Sequence, residues 1–209
     1  MSILLVAGLG NPGRDYAKTR HNAGFAVVDA LASRHDLSWK TAARFTAKIG
    51  RWDRADGRTC VLARPQTFMN DSGRAVRALA DFYKLPPAAI IVVYDDLTIE
   101  LGRIKLTVRG SAGGHNGVAS LLEHLDGGFV RYRIGIGPKH PPEMDLKDFV
   151  LGRFTPEEQT TFNQHLTAYV DGLDLLIEQG TDQAMNKLNR RTDQNDPDQT
   201  QLPRDLHPR

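Results

Sequence analysis

The sequence predicts a single α/β domain, and three observations carry that prediction. Uninterrupted apolar runs, Ile3-Leu4-Leu5-Val6-Ala7-Gly8-Leu9 and Ala89-Ile90-Ile91-Val92-Val93-Tyr94, are short enough to be strands and apolar enough to be buried on both faces. Stretches with apolar residues at helical spacing alternate with them. Nothing resembling a linker divides the 209 residues before the last twenty or so, so residues 1–191 are expected to form one domain.

Taken in order, the first strand ends at the turn signal Asn11-Pro12-Gly13. A polar stretch then leads to His21 and to a helix whose inner face is Phe25, Val28, Leu31 and Ala32, with Asn22 placed to cap it. The positive end of that helix would disfavour a protonated His21 and favour a neutral base. Phe45–Ile49 and Thr59–Ala63 form a hairpin around a turn-rich segment ending in Gly57. Cys60, the single cysteine, falls in an apolar run, so neither a disulfide framework nor a cysteine-based metal site is available.

Pro65-Gln66-Thr67-Phe68-Met69-Asn70 is a second joint between a strand and a helix, the helix showing Val76, Leu79, Ala80 and Tyr83 on one side. Phe68 and Met69 there could be core or could wall a pocket, with Asn70 offering both a donor and an acceptor. The strand 89–94 ends in Asp95-Asp96. Two acids at a strand end suit a divalent metal, with His21 and His115 as the available partners, but Asp95 accepting a hydrogen bond from the His21 ring needs no further ligand and is the preferred reading.

Ile104, Leu106 and Val108 alternate with Arg103, Lys105 and Arg109, as Val130, Tyr132, Ile134 and Ile136 alternate with Arg131 and Arg133. If the two strands are neighbours, their cations form a ridge suited to phosphate. The segment 103–139 holds six Lys or Arg against two acids, and so accounts for the positive excess of the folded part. Between these strands, Gly110-Ser111-Ala112-Gly113-Gly114-His115-Asn116-Gly117 precedes a helix with Val118, Leu121, Leu122 and Leu125 inward. It lacks the order of a P-loop, and Gly8-Leu9-Gly10-Asn11-Pro12-Gly13 is interrupted by a proline, so nucleotide binding of those kinds is not expected.

His140-Pro141-Pro142-Glu143-Met144 is placed as a mobile lid. Thr155-Pro156-Glu157-Glu158 is a capping box opening a long helix to Gly180. Residues 192–209 are polar and acidic, and disorder is expected there. No apolar stretch is long enough to span a membrane and Met1-Ser2 leads straight into a strand, so a cytoplasmic protein without membrane contact is expected.

Six motifs, in order, resemble the bacterial-type peptidyl-tRNA hydrolase family: Gly8-Leu9-Gly10-Asn11-Pro12-Gly13 with Tyr16, Thr19-Arg20-His21-Asn22-Ala23-Gly24, the run from Pro65 through Asn70-Asp71-Ser72-Gly73, Asp95-Asp96-Leu97, the run from Gly110 to Gly117, and Arg131-Tyr132-Arg133-Ile134-Gly135-Ile136-Gly137. The resemblance spans residues 3 to 190. It implies a monomer with a mixed, twisted β-sheet and helices packed on both sides, and hydrolysis, without cofactor or metal, of the ester between an N-blocked peptide and the 3′-terminal ribose of tRNA. It further implies that His21 is the general base, that Asp95 holds and polarises it, and that Asn11 separates N-blocked esters from free aminoacyl esters. By the same resemblance Tyr16, Phe68, Asn70 and Asn116 contact substrate, and Lys105 and Arg133 grip tRNA phosphate. The chain departs from the family after Asp95, where Asp96-Leu97-Thr98-Ile99-Glu100 replaces a Glu-Leu-Asp-Leu-Pro-like run. Two rivals remain: an RNA-binding protein that has lost catalysis, which should have spoiled His21, Asp95 or Asn11, and a metal-dependent hydrolase.

Overall fold

Neighbouring residues of a strand face opposite ways, so the apolar runs must feed two cores. In the computed structural model, which describes residues 3–190, they do. Val6, Cys60, Leu62, Ile91 and Val93 pack into one core, while Leu5, Ala7, Val61, Ala63, Ile90 and Val92 pack into the other. The strands are β1 (Ile3–Gly8), β2 (Lys40–Ala42), β3 (Ala47–Asp53), β4 (Thr59–Pro65), β5 (Ile90–Glu100), β6 (Ile104–Thr107) and β7 (Val130–Gly137). They form one mixed sheet in the order β2-β3-β4-β1-β5-β7-β6. The four inner strands β4, β1, β5 and β7 are parallel, and β2, β3 and β6 are antiparallel additions at the two edges.

The helices are α1 (Ala23–Arg34), α2 (Ser72–Tyr83), α3 (Asn116–Leu125), α4 (Leu146–Leu151), α5 (Pro156–Gln179) and α6 (Thr181–Leu188). α1 and α5 cover the first core and α2 and α3 the second, so helices lie on both sides of the sheet as expected. The capping box at Thr155 is formed with both of its hydrogen bonds, and Pro156 opens α5. No helix among the described residues is long and apolar enough to cross a membrane. Cys60 is buried, and burial pushes its thiol pKa up to about 12, an inert core position.

The structure departs from the sequence reading in places. Phe45 lies in a 3-10 turn, Ala43–Phe45, so β3 starts at Ala47. β5 continues through Asp95 to Glu100 with an irregularity after Asp96, because β7 offers pairing partners that far. Asn22 does not cap α1 with its side chain. Its carboxamide instead accepts from Asn11 N at 2.8 Å and donates to Asn11 O at 2.9 Å, tying the loop after β1 to the start of the helix. The short elements β2, α4 and α6 were too brief to show a period. The tail expected to be disordered lies outside the described residues.

Candidate active site

In a parallel sheet, loops at the carboxyl ends of adjacent strands converge. Here β1, β4 and β5 are adjacent; Asn11 follows β1, Phe68 to Asn70 follow β4, and Asp95 lies within β5. They open a cleft of about 520 Å³ that also receives His21, the glycine-rich loop before α3, and one side of α4. The approach of α1 to the sheet is what brings His21 in. A Cβ on Gly24 would lie 2.3 Å from Val93 O and 2.6 Å from Leu9 O, so only glycine lets the helix start against the ends of β1 and β5.

His21 Nδ1 lies 3.0 Å from both Asp95 carboxylate oxygens. Both residues are buried. The carboxylate can only accept, so Nδ1 carries the hydrogen and Nε2 keeps its lone pair. Burial alone would lower the His21 pKa, but the charge of Asp95 and its hydrogen bond more than offset it, and the ring ends above its ordinary value of 6.5. This corrects the expectation that the helix end keeps the ring neutral: a full charge in contact outweighs the partial charge of a helix terminus. For Asp95, burial would raise the pKa, but His21 and His115 together drive it well below the usual carboxylate range.

His115 is the residue that sequence reasoning weighed only as a metal ligand. Its Nε2 lies 3.1 Å from Asp95 Oδ1. Its Nδ1 accepts from the backbone N–H of Gly117 and Val118, at 3.1 and 3.3 Å, so the ring caps α3. Accepting at Nδ1 leaves the proton on Nε2, where it donates to Asp95. The signal was present in Gly114-His115-Asn116-Gly117 at a helix start, but histidine is an uncommon cap. The candidate metal ligands His21, Asp95 and His115 have ligand atoms within 4.8 Å of one another. The three are also arranged as a hydrogen-bonded set, and His115 Nδ1, held by two backbone N–H groups, cannot take up the proton that Nε2 would have to yield to an ion.

Around this core the carboxamides differ in what they have to offer. Asn11 is buried and its Oδ1 accepts from Met69 N at 2.7 Å, so its unspent polar group is the Nδ2 donor. Asn70 and Asn116 line the cleft and are exposed, with no side-chain hydrogen bond among the described residues. Phe68 lines the cleft and is 60% exposed, and Tyr16 stands edge-on to it at 6.5 Å. Tyr16 and Lys105 lie outside the cleft lining itself. The segment placed as a lid leads into α4, and it is α4, with Leu146 and Val150, that faces the cleft.

α4 is tied to the loop that carries His21 through Arg20. Its guanidinium bonds Glu158 at 2.5 Å, donates to Phe149 O at 3.3 Å and lies 4.4 Å over the Phe149 ring. Its backbone N–H donates to Gly152 O at 3.0 Å. The residue before His21 therefore fixes both the loop and the opposite wall.

The basic strands are indeed neighbours, with Lys105 opposite Arg133 in register and thus on the same face. The ridge is thinner than expected, however. Arg131 is buried and spends its guanidinium on the carbonyls of Ser111 and Gly110, at 2.7 and 2.5 Å, holding the glycine-rich loop. Arg133 is ion-paired with Asp96 at 2.7 Å.

Compared with known proteins, residues 5–196 match the family model described as peptidyl-tRNA hydrolase. The chain belongs to the peptidyl-tRNA hydrolase family. Among its relatives, the peptidyl-tRNA hydrolase of Gloeobacter violaceus is 45% identical over 199 residues, covering 95% of this chain and all of that one. The peptidyl-tRNA hydrolase of Mycobacterium tuberculosis is 47% identical over 186 residues, covering 88% and 96% of the two chains. A crystal structure of the peptidyl-tRNA hydrolase of Acinetobacter baumannii superposes with a TM-score of 0.82 at 37% identity, covering 90% of this chain and 94% of that one. Membership in the peptidyl-tRNA hydrolase family accords with the mixed sheet and with the six sequence motifs.

Proposed function

We propose that this chain, with residues 1–191 as its catalytic domain, hydrolyses the ester joining an N-blocked peptide to the 3′-terminal ribose of tRNA, and that it works as a cytoplasmic monomer without metal or cofactor. The observation that carries the reading is the His21–Asp95 pair, which supplies an imidazole with a free Nε2 lone pair on a cleft bordered by three carboxamides. Nε2 takes a proton from water as the water oxygen attacks the ester carbonyl. Asp95 stabilises the imidazolium so formed without accepting its proton. The oxyanion is met by amide donors, for which Asn11, Asn70 and Asn116 are the available side chains. When the tetrahedral species collapses, the C–O bond to the ribose breaks, and the imidazolium returns its proton to the departing ribose oxygen. The products are free tRNA and a peptide acid.

Selectivity for blocked amines follows from the polarity of Asn11. With Oδ1 committed to Met69, the side chain presents a donor, which suits the carbonyl of an N-acyl group and not an ammonium that can only donate. Tyr16 and Phe68 are placed to pack against the terminal bases or the peptide side chain, and Lys105 to attract the tRNA backbone.

The test is release of N-acetyl-amino acid from N-acetyl-aminoacyl-tRNA in the presence of a strong chelator, beside the same tRNA with a free amine. Turnover of the blocked substrate, undiminished by chelator and well above that of the free aminoacyl ester, supports the reading. Chelator-sensitive turnover would favour the metal-dependent rival, and no turnover would favour an RNA-binding protein without catalysis.

A further inference from the structure

Arg133 lines the cleft and has Lys105 opposite it on β6, a pair of cations suited to RNA phosphate, yet the chain supplies Arg133 with an anion of its own. Arg133 Nε donates to Asp96 Oδ2 at 2.8 Å, and Nη2 lies 2.7 Å from the same oxygen and 3.3 Å from Thr98 Oγ1. The other oxygen, Asp96 Oδ1, accepts from Thr98 N at 2.8 Å and from Thr98 Oγ1 at 2.6 Å. Asp96, Thr98 and Arg133 thus close a ring of hydrogen bonds. The Arg133 and Asp96 side chains are only 21% and 14% exposed, so the pair is poorly screened by solvent.

The backbone holds the ring in place. Residues 97–100 cross directly over β7, and a Cβ on Gly135 or Gly137 would lie 1.9 Å from Glu100 O or Leu97 O. This is also the stretch in which the chain departs from the run the family resemblance implied. Lys105, opposite Arg133, has no ion pair among the described residues and is exposed.

We propose that Asp96 and Thr98 shield Arg133 from RNA phosphate, so that of the two cations paired across β6 and β7 only Lys105 is free to grip tRNA unless phosphate displaces the Asp96 carboxylate. Asp96 and Thr98 are in this sense specificity-determining: they weaken the recognition of the tRNA body relative to the ester end. The inference rests on the reading of the chain as acting on tRNA. It concerns binding, so it is read without the hydrolytic reaction.

The experiment is equilibrium binding of deacylated tRNA by the full chain across roughly 50 to 200 mM KCl, where each phosphate contact contributes a slope of about 0.7 to 0.9 in log K against log salt. Asp96→Asn is expected to tighten binding several-fold at the low end and to steepen the slope by about one contact. Thr98→Val, farther from Asp95, is expected to act in the same direction with a smaller effect. Arg133→Ala is expected to change the slope less than Lys105→Ala in the natural background, and to abolish the gain when combined with Asp96→Asn. A gain that persists in Asp96→Asn/Arg133→Ala would mean that the acid acts by general repulsion, and would overturn the shield. An unchanged slope in both Asp96→Asn and Thr98→Val would overturn it as well. A protein that shows the expected slopes but does not cleave N-acetyl-aminoacyl-tRNA would keep the shield and lose the hydrolase reading, whereas one that cleaves without the slope changes would lose the shield alone.

Discussion

Replacing Asp95 with asparagine separates charge from shape at the centre of the site. In the natural protein a carboxylate touches the His21 ring at 3.0 Å through both oxygens. At an effective dielectric of about 20, a charge pair some 4 Å apart is worth on the order of 4 kcal/mol, and the carboxylate pushes the imidazole pKa up. Burial opposes this, and the net direction is upward from 6.5. The asparagine removes the upward contribution and leaves the downward one, so the acid limb of kcat/KM should move from above pH 6.5 to below it. The substitution also imposes a tautomer. His115 donates Nε2–H to the position of Asp95 Oδ1, because its Nδ1 is held by two backbone N–H groups. The asparagine oxygen is drawn to that side, and its NH2 then faces His21 Nδ1. The oxygen is also 3.0 Å from His21 Nδ1 but already accepts from His115, so the ring is biased toward accepting from the NH2 and carrying its hydrogen on Nε2, where it can no longer act as a base. The expected loss in kcat is about 10² to 10⁴. The decisive comparison is Asp95→Asn/His115→Asn, measured on N-acetyl-aminoacyl-tRNA over pH 5 to 9. Asparagine at position 115 can still cap α3 but does not compete for the residue 95 oxygen, so the double variant should be faster than Asp95→Asn alone. A double variant no faster than the single one would refute the tautomer argument, and a single variant within a few-fold of the natural enzyme would refute the dyad.

Three further outcomes follow from the same structure. In the natural enzyme kcat/KM should rise with pH through an inflection above 6.5, since the neutral form is the base; because the folded pKa of His21 is raised, its contribution to stability is present below pH 6.5 and fades as pH rises through the folded value, which urea midpoints at pH 5.5 and 8.5 should show against His21→Ala. Gly24→Ala places a Cβ 2.3 Å from Val93 O, so it should cost about 1–3 kcal/mol in urea denaturation and lower kcat by displacing His21, three residues away. Glu158→Gln leaves the buried Arg20 guanidinium without a counter-charge and removes the carboxylate from the capping box; it should cost about 1–3 kcal/mol and loosen α4, seen as faster amide exchange there and a raised KM.

The apolar runs of β1 and β5 and the long capped helix α5 were legible from the chain, because strand alternation, caps and turns are local in sequence; the same signals marked the joints that carry His21, Asp95, Asn11, Asn70 and Asn116, which the fold brings to one cleft. Asn22 and Arg131 show where such reading stops. Each sits where a local rule assigned it a role, as a cap or as one of a phosphate ridge. Each instead satisfies a backbone group brought near by the fold, at Asn11 for one and at Gly110 and Ser111 for the other. The burial of a polar backbone group makes that demand stronger than the local preference.

By itself, then, the sequence determined the elements, their two apolar faces and the polar residues placed at their ends, and it did so through period and turn chemistry. Only the tertiary structure decided which of those residues meet: that Asp95 holds two histidines and not one, that Arg20 joins the His21 loop to α4, and that Arg133 is occupied by Asp96. The reason is physical. A hydrogen bond or ion pair between residues 20 to 138 positions apart depends on how the sheet and helices pack, and no local pattern encodes that distance.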